Sequence, residues 1–133
     1  MKKTLILLLL ALVGCSLNQA PAQSIFDKWE ALDSFHEVMA QTFHPSEEGN
    51  LEPIKTRSGE MAKKADALAK TPIPDEFASA AIQSAVKQLQ KDSKMLHKLI
   101  KSKQASDEQI TKSLSALHDV FHEIVGLCKD ENH

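Results

Sequence analysis

The chain has 133 residues, of which 42% are hydrophobic, 26% charged and 5% aromatic. This length suits one domain with a single core, and four Gly, five Pro and no Tyr favour a helical protein over a turn-rich β protein. A formal charge of −2 offers no basic surface to nucleic acid, and two Cys are too few for a disulfide scaffold. The two Cys and six His therefore need individual explanations.

The N-terminal residues 1–14 are predicted to be a signal peptide, because two Lys precede an apolar run that is too short to span a bilayer. Residues 12–15 (Leu-Val-Gly-Cys) resemble the lipobox of bacterial lipoproteins, in which cleavage precedes a Cys that becomes acylated. The resemblance implies lipid such as palmitate on Cys15, a tether over residues 15–24, and anchoring to a bacterial membrane in the periplasm or at the cell surface. Residues 20–22 (Ala-Pro-Ala) also fit ordinary signal-peptidase cleavage, so both alternatives predict export.

Residues 25–133 are predicted to form an all-α, up-down-up-down antiparallel four-helix bundle. Apolar residues recur at alternating steps of four and three, which is the pattern of helices that share one core. The core positions predicted in this way, segment by segment, are Ile25, Trp29, Leu32, His36, Met39 and Phe43; Ile54, Ser58, Met61, Ala65 and Leu68; Ile82, Val86, Leu89, Ser93, Leu96 and Ile100; and Ile110, Leu114, Leu117, Phe121, Ile124 and Cys128. Pro45, the Pro-rich stretch 71–74 and a capping-box pattern at 106–109 separate the segments. Because short connections make neighbouring helices antiparallel, we expect a bundle with helices over about 25–43, 51–70, 75–102 and 107–129.

Three of the predicted core positions are polar, namely His36, Ser58 and Ser93. At ~1.5 Å per residue they lie at similar heights in the bundle, level with the stretch 114–118. A buried polar group without a partner costs ~1–3 kcal/mol. A Ser hydroxyl can bond to its own helix, whereas His36 needs a partner from another helix, a water molecule or a metal. Cys128 completes the apolar stripe of the fourth helix and is predicted to be a core residue.

Two further histidines, His118 and His122, lie four residues apart on the predicted fourth helix. Four residues make about one turn, so both imidazoles project from one face and can chelate a single ion. Packing the first helix antiparallel to the fourth brings further donors to the same height. The sequence therefore predicts a zinc or copper site whose ligands are His36, His118 and His122, with Asp33, Glu37 or water as the fourth.

Other donors remain alternatives at this point. If the bundle has the opposite hand, the fourth helix faces the third and His97 is the nearer ligand, while Met39 is a further candidate on the first helix. His44 is a third alternative, and with the acidic residues of the first loop it forms a second group that either holds a cation or is simply solvated. Those acidic residues are Glu47, Glu48 and Glu52.

The sequence favours binding over catalysis. It has no Gly-rich phosphate loop and no arrangement of a nucleophile with a base and an oxyanion site. The His pair also lacks the HExxH pattern that supplies zinc proteases with a general base. We therefore expect a non-enzymatic metal-binding protein anchored to a membrane. The alternative is a structural or protein-interaction lipoprotein whose histidines are only boundary polar residues.

An exported helical bundle of this length resembles the periplasmic four-helix cytochromes, both the c-prime type and their b-type haem relatives. The c-prime type carries Cys-x-x-Cys-His near the end of its fourth helix. The comparable stretch here, residues 125–133, keeps Cys128 but lacks the second Cys and the adjacent His. The resemblance thus implies a similar shape without covalent haem. A noncovalent haem would take its axial ligands from His36, Met39 and His118.

Overall fold

A computed structural model describes residues 24–130 of the chain. The predicted signal peptide, Cys15 and the tether up to residue 23 lie outside the described residues. Within residues 24–130 the structure contains helices and no strand, and four of the helices are long. The predicted all-α class is confirmed.

The elements are α1 (Ile25–Lys28), α2 (Glu30–Glu47), α3 (Glu52–Lys70), a 3₁₀ turn (Asp75–Phe77), α4 (Ala80–Lys101) and α5 (Asp107–Asp130). Each long helix packs against the next in the chain, so that α2 contacts α3, α3 contacts α4 and α4 contacts α5. The first and last long helices, α2 and α5, also meet, but over a shorter stretch, and the short α1 contacts both of them. None of the described helices is both long and apolar enough to span a membrane.

The start of the bundle differs from the continuous helix predicted from residue 25. Ser24 caps α1, since its hydroxyl accepts the Asp27 N–H at 3.3 Å while the Asp27 carboxylate accepts the Ser24 N–H at 3.1 Å. The chain then leaves helical geometry at Trp29 (φ −131°, ψ 83°) before α2 begins. Trp29 is 2% exposed and its ring lies parallel to that of Phe77, with centroids 6.0 Å apart. The helix is thus interrupted at the residue whose indole is buried.

The end of α2 also differs from the prediction, because the helix continues through Pro45 to Glu47 instead of ending at 43. Pro45 lies in the last turn, where the Pro45 carbonyl accepts the Glu48 and Asn50 N–H groups at 3.1 and 2.9 Å. Gly49, with φ +84°, then reverses the chain in the left-handed region that favours glycine. His44 therefore stays on α2, about two turns beyond His36.

The helix predicted from residue 75 begins instead at Ala80. The Ser79 hydroxyl accepts the Ile82 N–H at 3.2 Å and caps α4. The preceding residues form the 3₁₀ turn, which carries the fully buried Phe77 beneath Trp29.

In α3 and α5 the buried residues are the predicted core positions, Cys128 included. In α4 the agreement is nearly complete, but Ile100 is only half-buried and Ala85 is buried in addition. In α2 the core stripe differs from the prediction. Phe35 is fully buried, whereas His36 and Phe43 are half-buried at the border between α2 and α5. The buried α2 side chains are Leu32, Phe35, Val38, Met39, Thr42 and Ser46.

Candidate metal-binding cavity between α2 and α5

A cavity of about 290 Å³ lies where α2 and α5 meet over their short interface. We refer to it as the α2–α5 cavity. Four of the six histidines of the chain line it, together with one thioether and an otherwise apolar wall. The lining residues are Phe26, His36, Met39, Ala40, Phe43, His44, His118, Phe121, His122 and Val125.

The closest donor atoms in the cavity are those of the two α5 histidines. The Nε2 atoms of His118 and His122 are 3.1 Å apart. Two imidazole nitrogens at this distance either share one proton, with one ring donating to the other, or direct both lone pairs at one cation. The helical spacing of four residues produces this arrangement, as predicted from the sequence.

The surroundings of His118 favour its neutral form. Its ring lies parallel to that of Phe43, with the centroids 3.7 Å apart and an interplanar angle of 8°. Burial lowers the pKa of His118, and repulsion from a charge on His122 lowers this pKa further, while Asp119 and Glu47 act in the opposite direction. The neutral imidazole is the form that binds a metal, so His118 is ready to act as a ligand at neutral pH.

The two α2 histidines occupy different surroundings along the cavity. The ring of His36 lies parallel to those of Phe26 and Phe121, with centroids at 4.4 and 5.4 Å. His44, at the end of α2, is exposed and its Nδ1 is 3.4 Å from Glu47 Oε2. An apolar stack therefore surrounds His36, while His44 is exposed and contacts Glu47 and the ring of Phe43.

The remaining predicted ligands are divided between the cavity and other surfaces. Met39 is 1% exposed and lines the cavity. The carboxylates of Asp33 and Glu37 belong to exposed residues that do not line it. His97 lies on the far side of the bundle, where its Nδ1 is 2.9 Å from the Ser58 hydroxyl. The structure thus gathers four histidines and one methionine, and leaves out the two predicted carboxylates and His97.

No cluster of three or more His, Cys, Asp or Glu side chains that could hold a metal ion occurs between residues 24 and 130. This applies also to the loop group of His44 with Glu47, Glu48 and Glu52. The preformed element is therefore a pair of nitrogens on α5, and further donors line the same cavity.

The pairing of Ser58 with His97 was not predicted from the sequence, and His44 was predicted only as an alternative ligand. The bond between Ser58 and His97 accounts for one of the polar core positions without any metal. The presence of His44 beside His36 in the cavity follows from the continuation of α2 through Pro45. Its sequence signal is the repeated Phe-His pair at 35–36 and 43–44, because eight residues make about 2.2 turns and keep both histidines on one side of the helix.

Comparison of the chain with protein-family models, with curated proteins and with solved structures finds no match.

Proposed function

We propose that the chain is an exported, lipid-anchored four-helix bundle that binds zinc or copper in the α2–α5 cavity. His118 and His122 are the principal ligands, and the histidines of α2, His36 and His44, are the further imidazoles available. One observation carries the proposal, namely the 3.1 Å separation of the two Nε2 atoms at the wall of a cavity that two other histidines also line. The role is binding rather than catalysis.

The composition of the cavity supports a transition metal over a hard cation. Its donors are imidazole nitrogens and a thioether sulfur, and no carboxylate of residues 24–130 lines it. Magnesium and calcium prefer oxygen ligands, whereas imidazole suits zinc and copper. The lowered pKa of His118 supports the same conclusion, because a proton competes less effectively for its ring.

The same proposal includes the antiparallel up-down-up-down order of the long helices. The connections between them, residues 48–51, 71–79 and 102–106, are short. Consecutive helices pack against each other and the last returns to the first. Short connections between packed neighbours are typical of antiparallel bundles. This order brings α2 beside α5 along the cavity.

Export and anchoring through Cys15 rest on the N-terminal sequence pattern. Mass spectrometry of the N-terminal peptide of the processed protein tests them. An acylated N-terminal Cys15 is expected, and an unmodified chain that starts at Gln23 would refute the lipid anchor.

Metal analysis tests the central part of the proposal. The purified chain is equilibrated with zinc or copper, passed over a desalting column and analysed for retained metal. We expect about one ion per chain at pH 7.5, and weaker binding at about pH 5.5, where imidazoles become protonated. The double variant His118→Ala/His122→Ala is expected to lose the ion.

His97→Gln is the matched control, because His97 is a histidine of the same bundle outside the cavity. It should retain metal as the wild type does. If the wild type retains neither metal and neither metal changes its thermal stability, metal binding is excluded. A structural or protein-interaction lipoprotein is then the better description. Titration with haemin tests the noncovalent haem alternative, since a Soret band that depends on His36, Met39 or His118 would favour it.

A further inference from the structure

The α2–α5 cavity has a donor set that distinguishes between the two metals. His118 is half-buried and His122 is exposed, and the one fully buried side chain of the lining that is able to ligate is Met39, at 1% exposure. Thioether sulfur is a soft donor that selects copper(I), whereas zinc in structural sites takes thiolate, imidazole or carboxylate ligands. The donors of the lining therefore match copper(I) better than zinc.

The small number of preformed ligands also favours copper(I) over zinc. Zinc in structural sites is almost always bound by four ligands in a tetrahedron. Around the His118–His122 pair, the described part of the chain supplies no third His, Cys, Asp or Glu in a metal-holding group. Copper(I) accepts fewer ligands than zinc, so two imidazoles and one thioether satisfy it.

The charge of the cavity also favours a singly charged ion. Much of its wall is formed by Phe26, Phe43 and Phe121, and the described part of the chain places no carboxylate in the lining that would neutralise a divalent ion. Asp119 and Glu47 influence His118 electrostatically but are not part of the lining. The cost of moving an ion out of water rises with the square of its charge, so an apolar site penalises a divalent ion more than a monovalent one.

We propose that the α2–α5 cavity is a copper(I) site in which His118, His122 and Met39 are the ligands. The proposal rests on the metal-binding function proposed above and adds the oxidation state and a sulfur ligand. His36 and His44 are then not required for copper(I), because the His118–His122 pair and Met39 already supply three donors.

Competition titrations of the full chain under anaerobic conditions test this assignment. Copper(I) is titrated against a chromophoric copper(I) chelator, and zinc is titrated separately against a zinc chelator. Met39→Leu removes the sulfur and nearly conserves the volume, so the fold is retained. We expect it to weaken copper(I) binding at least about tenfold, which corresponds to ~1.4 kcal/mol, and to leave the zinc affinity unchanged.

Three control variants separate the thioether from other sulfur atoms. Met61→Leu alters a buried methionine of α3, and Met95→Leu alters the exposed methionine of α4. Cys128→Ala removes the buried thiol of α5. All three should bind copper(I) as the wild type does. A direct readout accompanies them, because the methyl resonance of Met39 should shift on addition of copper(I) while those of Met61 and Met95 remain unchanged.

The outcomes distinguish this inference from the proposed function. If Met39→Leu binds copper(I) as the wild type does and the Met39 methyl resonance does not move, the sulfur ligand is refuted. Loss of copper(I) in Cys128→Ala, or tighter binding of zinc than of copper(I), also overturns the assignment. In each of these cases metal binding through the histidines stands, provided that His118→Ala/His122→Ala abolishes it. Failure of the wild type to bind either ion overturns both proposals.

Discussion

The α3–α4 interface and the α2–α5 cavity lie on different sides of the bundle, and histidines have different partners in the two places. At the α3–α4 interface His97 has a protein partner, the Ser58 hydroxyl at 2.9 Å. Gly59 allows the ring to approach, since a Cβ at that position would lie 3.1 Å from His97 Cε1. In the cavity, His118 and His122 face each other and aromatic rings. His97 is thus hydrogen-bonded to a residue of another helix and has a structural role. The hydrogen bond between His118 and His122 lies within α5 and leaves the pair open to a ligand.

The largest effect that tests this comparison is expected from the wall of the cavity. Phe121 is 3% exposed and packs against Phe26, Phe35 and His36. Phe121→Ala should lower the free energy of unfolding by ~3–5 kcal/mol, the usual cost of removing a buried aromatic ring. Denaturant unfolding measures this loss. Phe43→Ala removes a half-buried ring and should lower the free energy of unfolding clearly less. Equal losses in the two variants would show that the two rings are equally part of the core.

A smaller effect separates the structural histidine from the cavity pair. Ser58→Ala leaves His97 Nδ1 without its hydroxyl partner and should reduce stability by ~1–3 kcal/mol. His122→Ala changes an exposed side chain whose bond is to another histidine, so we expect a change within ~0.5 kcal/mol. Thermal unfolding of the two metal-free variants side by side provides the measurement. A larger loss in His122→Ala than in Ser58→Ala would reverse the assignment of roles.

Ser93, also on α4, should respond in the opposite direction. Its hydroxyl is buried and has no hydrogen-bond partner among the described residues. Ser93→Ala removes an unsatisfied polar group and introduces the residue with the best helix propensity, so stability should rise by up to ~1 kcal/mol. Chemical denaturation of this variant beside the wild type measures the gain. A loss of stability would show that a water molecule or a ligand satisfies the hydroxyl.

The smallest effect concerns the pH dependence of the α3–α4 interface. Hydrogen bonds from Gln90 at 2.6 Å and Lys94 at 2.9 Å lower the pKa of Asp66 from 3.8 to about 2. Because the unfolded chain binds this proton at higher pH, the stabilisation is complete above pH 3.8 and is lost as the pH falls towards 2.

Asp66→Asn should therefore be less stable than the wild type at neutral pH, and the difference should shrink as the solution is acidified. Urea unfolding of both proteins at pH 7, at about pH 4 and at about pH 3 measures this difference in stability. The side chain of Asp66 is 30% exposed, so solvent screens the interaction and the effect is modest. A difference between variant and wild type that is constant with pH would refute the electrostatic origin.

The fold was largely predictable because three of the long helices have one clear apolar stripe. In α3 and α5 the predicted core positions and the buried residues coincide, and in α4 they nearly do. In α2 they do not, since Phe35, Val38 and Thr42 are buried while the predicted core residues His36 and Phe43 are half-buried. Phe35 and His36 are neighbours in sequence, and the larger apolar side chain occupies the core. Periodicity alone did not distinguish these two positions.

The candidate site was predictable where it depended on local geometry and not where it depended on tertiary packing. The spacing of His118 and His122 fixes their approach within one helix. The exclusion of Asp33 and Glu37 depends on how α2 rotates against its neighbours, and a single sequence contains no measure of that rotation. The pairing of His97 with Ser58 depends in the same way on the side of α4 that faces α3.

The burial of Trp29 has a spectroscopic consequence. The chain contains one Trp and no Tyr, so its ultraviolet emission comes almost entirely from a single indole. That indole lies at the junction between α1, whose Phe26 reaches the cavity, and α2, which carries His36. In the folded state the emission is that of an apolar environment, and any movement of α1 away from the bundle should shift it to longer wavelength. The protein thus carries a natural optical reporter for the packing of α1 and of the 3₁₀ turn against α2.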